Sequence, residues 1–61
     1  GKNWKTVYKY FVSYTHQNGF GRCEITRDTE IKGIDDILGI EKVIRENNGF
    51  RTVGILYYKL F

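Results

Sequence analysis

His16 and Cys23 are the two side chains of this 61-residue sequence that could together perform covalent chemistry. A thiol beside an imidazole can act as nucleophile and base, but it needs a third group to orient the base. Glu24 is the nearest candidate, and strand alternation turns it to the opposite face from Cys23. Cys23 itself falls between Tyr14 and Ile25 on an apolar face, where a thiol tends to be inert. The pair therefore reads as a core cysteine near a turn histidine. Metal binding fares no better, since one His and one Cys cannot complete a tetrahedral site. Asp35 and Asp36 are adjacent, so on a helix they point about 100° apart. As helix-start acids they compensate the dipole. Gly19-Phe20-Gly21 is a bare G-x-G that does not lead from a strand into a helix, so it reads as turn chemistry. With no second His, no paired core carboxylates and no phosphate loop, the expectation is a protein that is not an enzyme and takes no cofactor.

The mixture of basic and aromatic residues from Lys5 to Phe11 supports binding instead. Single-stranded nucleic acid is held by aromatic side chains on an open sheet with basic neighbours. Phe11, Phe20 and Tyr58 with Lys9 and Arg22 could supply such a face. The ribonucleoprotein signature is absent, and the net charge is only +3. That charge is unevenly placed. Residues 1–32 carry six basic and three acidic side chains, residues 33–49 two and four, and residues 50–61 two and none. Nucleic acid is the alternative partner, behind another protein.

The elements that hold these residues follow from pattern. Trp4 to Thr15 is rich in Val, Tyr, Phe and Thr and reads as a long strand. Arg22 to Asp28 is its partner across Asn18-Gly19, which predicts a type I′ hairpin turn. That turn places Thr15 opposite Arg22, Tyr14 opposite Cys23, Ser13 opposite Glu24 and Lys9 opposite Asp28. Tyr10, Val12, Tyr14, Cys23 and Ile25 then share one face. A helix is predicted over 34–47, with Gly33 as N-cap and Gly49 as its left-handed stop. Ile34, Ile37, Leu38, Ile40 and Ile44 form its apolar stripe. Gly39, about 1 kcal/mol worse than Ala inside a helix, marks a kink or a close approach to the sheet. Thr52 to Phe61 reads as a last strand that is apolar on both faces.

The order β-β-α-β with a right-handed return predicts one α+β domain over residues 1–61. Its sheet has three antiparallel strands in order 2-1-3, with the helix on one face. The expected core is Tyr10, Val12, Tyr14, Cys23, Ile25, Ile37, Ile40, Ile44, Val53 and Ile55. A one-residue slip of the last strand would exchange Ile55 for Leu56. One helix covers one face, which leaves an open face expected to carry Val7, Lys9, Phe11, Phe20, Arg22, Leu56, Tyr58 and Leu60. These eight residues are the candidate interaction surface. Leaving a large apolar side chain in water forfeits roughly 1.5–3 kcal/mol relative to burial. A second copy of the chain forming a homodimer, or another protein, would recover it. The competing expectation is that Trp4 plugs this face.

A domain of this length buries only about 60% of its unfolded surface, and a lone Cys supplies no disulfide. The single thiol fits a reducing compartment. No signal-peptide pattern and no membrane-length apolar run is present, so a cytoplasmic location without membrane contact is expected. Tyr10-Phe11-Val12-Ser13-Tyr14, Asn18-Gly19-Phe20-Gly21, the Asp36-Ile37 and Ile40-Glu41 helix, Asn48-Gly49-Phe50 and Ile55-Leu56-Tyr57-Tyr58 together resemble small proteins encoded by phages and prophages of Gram-positive bacteria. The resemblance implies an intracellular accessory protein of a mobile element, of a size used to bind a host protein. It carries no functional residues across.

Overall fold

The computed structural model describes residues 6–61, so Trp4, Lys5 and the proposed plug lie outside the described residues. The chain forms β1 (Tyr8–His16), β2 (Gly19–Arg27), α1 (Ile34–Asn48) and β3 (Val53–Leu60). The three strands make one antiparallel sheet in order β2-β1-β3, as the handedness of the return predicts. The fold is α+β, with α1 across one face.

The hairpin register differs from expectation by two residues. His16 pairs with Gly19, Tyr14 with Gly21, Val12 with Cys23 and Tyr10 with Ile25. On the other face Lys9 meets Thr26, Phe11 meets Glu24, Ser13 meets Arg22 and Thr15 meets Phe20. The predicted Lys9–Asp28 and Thr15–Arg22 pairings are therefore not formed across the strands. Gln17 and Asn18 are the turn residues, and neither has positive φ, which excludes the I′ turn. Gly19 follows at φ 146°, a conformation open to glycine. Gly21 gives a physical reason for this register. A Cβ built on it would stand 2.6 Å from Cζ and the hydroxyl of Tyr14. Only a glycine lets that ring lie flat across the neighbouring strand.

α1 opens where predicted. The Asp36 and Ile37 amides donate to the Gly33 carbonyl at 3.2 and 3.3 Å. It closes at Gly49, which sits in the left-handed region at φ 71° and donates to the Arg45 carbonyl. The core is Tyr10, Val12, Tyr14, Ile40, Ile44 and Val53, with Cys23, Ile25 and Ile55 partly buried against it. Ile37 is half-buried. Ile34 and Leu38, expected in the buried stripe, are 68% and 52% exposed. At about 100° per residue they lie well round the helix from the Ile40–Ile44 line that meets the sheet. Gly39 has nothing within 4 Å of an added Cβ, so it is no close approach.

β3 contains the feature that reorganises the surface. His16 pairs with Val53, Thr15 with Gly54 and Tyr14 with Ile55, but Ser13 then pairs with Tyr57. Leu56 is an extra residue, a β-bulge, and it shifts the alternation of everything beyond it. Val12 opposes Tyr58 and Tyr10 opposes Leu60. Val53, Ile55, Tyr58 and Leu60 consequently all turn toward the helix side. The strand is apolar at nearly every position because its two halves address the same face in opposite phase.

Candidate interaction surface

Two surfaces compete. The open face is made by Lys9, Phe11, Ser13 and Thr15 of β1, Phe20, Arg22, Glu24 and Thr26 of β2, and Tyr57 and Lys59 of β3. Phe11 and Tyr57 form a tilted ring pair with centroids 6.3 Å apart. Lys59 stands directly opposite Phe11, and Phe20 is 79% exposed. Of the eight residues expected here, Lys9, Phe11, Phe20 and Arg22 are on this face, and Val7 is exposed just before β1. Tyr58 and Leu60 are not, because the bulge turns them to the helix side. Leu56 is the bulge residue itself. Tyr57 is the aromatic residue the sequence reading left out, since regular alternation gives it to the other side.

The second surface is the outer flank of β3 together with one side of α1. Leu56, Tyr58 and Leu60 are 57%, 42% and 41% exposed. Tyr58 packs edge-on against Tyr10, with centroids 5.8 Å apart. Ile37, Ile55, Leu56, Tyr57 and Tyr58 line a shallow groove between α1 and β3. Glu41 reaches across from α1, its carboxylate accepting the Ile55 amide at 3.2 Å. These contacts identify the Ile37–Glu41 side of α1 as the one beside β3. Ile34, Leu38 and Arg45 share that flank by helical spacing.

The far end of the sheet is closed. His16 stacks on Phe50 at 4.1 Å and 3°, and Tyr14 packs against both rings. The Asn18 amide donates to His16 Nδ1 at 3.2 Å. Gln17 Oε1 accepts the amides of Arg51 and Thr52, which clasps the hairpin tip to the segment before β3. Cys23 lies half-buried on the helix side, and burial raises its thiol pKa. Asp36 is held low chiefly by the Lys32 amide at 2.9 Å, against a smaller desolvation effect. Arg27 at 2.8 Å adds to the lowering. Among the described residues no cluster of His, Cys, Asp or Glu could hold a metal. No helix among them is long and apolar enough to cross a membrane. No family model, curated protein or solved structure matches the chain.

Proposed function

We propose that the chain is a small protein-interaction module that meets its partner through the β3 flank rather than through the open sheet face. The supporting observation is the run Leu56, Tyr58 and Leu60, exposed on a strand that among the described residues pairs on one side only, beside exposed Ile34 and Leu38. Scattered exposed apolar residues are ordinary, whereas a contiguous patch on a strand edge favours association. The resemblance to phage and prophage accessory proteins fits this role, with a second copy or a host protein in the cytoplasm as partner. Two measurements test it together. The first is sedimentation of the pure protein from micromolar to millimolar concentration. The second is retention of bacterial proteins on the immobilised native chain and on its Leu56→Ser/Leu60→Ser variant. A concentration-dependent dimer, or a protein retained by the native chain alone, is expected. A monomer throughout, with identical retention by both chains, would overturn the reading.

A second reading assigns nucleic-acid binding to the open face. It is favoured by the Phe11–Tyr57 ring pair with Lys59 opposite Phe11 and Lys9 beside it on β1. Lys9→Glu and Phe11→Ala should each weaken single-strand binding, which should also fall steeply with salt. Gel shifts at low salt that detect no complex with single-stranded DNA, single-stranded RNA or duplex would remove it.

A further inference from the structure

We infer that the partner on the β3 flank is a second copy of this chain, joined by antiparallel β3–β3 pairing about a two-fold axis into one continuous sheet. The inference rests on the β3 flank being an interaction surface.

Register favours one self-pairing. In an antiparallel pair, directly opposed residues share a face of the sheet. A two-fold axis must therefore pass opposite a single residue of β3. The Ile55 amide is already held by Glu41, which closes that end of the edge. Beyond the bulge, β3 alternates regularly from Tyr57 onward. An axis at Lys59 would set like charges face to face, which is unfavourable. An axis at Tyr58 sets Tyr58 against Tyr58 on the helix side and Tyr57 against Lys59 on the open face. The first is an aromatic cross-strand pair, and the second brings an ammonium to an exposed ring. Lys59, the one charge on β3, is thus accommodated rather than opposed.

The helix flank agrees. α1 lies nearest β3, so the same axis brings two copies of α1 side by side in opposite directions. The facing flanks carry Ile34 and Leu38, with Glu41 and Arg45 toward the C-terminal end. A crossing near Ile34 and Leu38 sets apolar residues against apolar residues and leaves Glu41, already engaged with Ile55, and Arg45 toward the outer ends of the seam. A single symmetric contact would cover the exposed β3 side chains, the exposed helix residues and a strand edge that pairs with no other described strand.

The test is sedimentation combined with amide hydrogen exchange on native protein and on Leu38→Glu and Leu60→Lys variants. Both substituted positions are more than one-third exposed, so the monomer fold should persist, as checked by circular dichroism. The expected result is a dimer whose β3 amides gain protection with concentration, and a dissociation constant raised more than about tenfold in each variant. Dimerisation should persist in high salt, because its main contacts are apolar. A native monomer at every concentration would overturn the inference. So would a dimer whose β3 amides exchange at the monomer rate. If a monomer nevertheless retains a protein that the Leu56→Ser/Leu60→Ser chain does not, the second-copy inference fails while the interaction module stands.

Discussion

β2 and β3 both lie at a margin of the sheet, each paired only with β1 among the described residues, yet they meet water differently. β2 alternates cleanly, with every second residue exposed, and it puts Arg22 and Glu24 on the open face. Its end is tied down by Arg27, which reaches Asp36 and the Thr29 carbonyl. Its helix-side glycine, Gly21, lies under the Tyr14 ring. β3 carries one charge, a bulge and five consecutive exposed residues from Leu56 to Leu60. Natural sheets blunt an edge with charge, bulge or cover. β2 uses charge and an anchored end. β3 has its bulge in mid-strand and leaves the half beyond it open, so the margin best shaped for pairing is the one that follows the helix.

The largest test of this contrast is Gly21→Ala. The added methyl would collide with the Tyr14 ring, so destabilisation of about 1–3 kcal/mol in urea unfolding is expected. In a Tyr14→Ala background the penalty should shrink markedly. An equal penalty in both backgrounds would mean that Tyr14 does not set the β2 register. Gly39→Ala acts in the opposite direction. It lies in open space on the β2 side of α1 and should stabilise by about 1 kcal/mol. A loss of stability would show that the helix needs its glycine after all.

Asp36 gives the pH dependence of the anchored margin. Its carboxyl pKa is lowered in the folded chain, so the unfolded chain takes up its proton first as the solution is acidified. Its contribution is fully present above the ordinary carboxylate range and is lost as pH falls through the folded value. The native chain should therefore lose stability on acidification more steeply than Asp36→Asn. Parallel curves would show that the Lys32 and Arg27 contacts do not discriminate between the charged and neutral forms.

Much of this architecture is legible in the sequence, and the misses have specific causes. Alternation in β1 and β2, the Gly33 and Gly49 ends of α1 and the handedness of the return lead to the strand order. The hairpin register is not legible because a two-residue shift keeps every side chain on its face. Only the collision of Tyr14 with a Cβ at 21 separates the two registers, and that is a three-dimensional fact. The candidate surface was half legible. Lys9, Phe11, Phe20 and Arg22 follow from strict alternation. Tyr57, Tyr58 and Leu60 do not, because a run apolar at nearly every position gives no sign of where its phase changes. Ile34 and Leu38 belong to the apolar stripe by spacing but not to the core, because one helix on three strands buries only a narrow part of that stripe.

Leu56 has a consequence for which changes in length the gene can tolerate. Losing one residue from the middle of a strand normally inverts every side chain beyond the lesion. Here the supernumerary residue is Leu56, and its removal joins Ile55 directly to Tyr57. The ladder against Tyr14 and Ser13 becomes continuous, and every remaining side chain keeps its face. A chain lacking Leu56 should fold with its strands intact by circular dichroism, whereas a chain lacking Ser13 of β1, a strand with no residue to spare, should not. Equal damage from the two deletions would mean that the bulge is needed to bend β3 around the sheet. Tolerance of the first alone would make Leu56 an insertion the fold can do without, placed where the open margin begins.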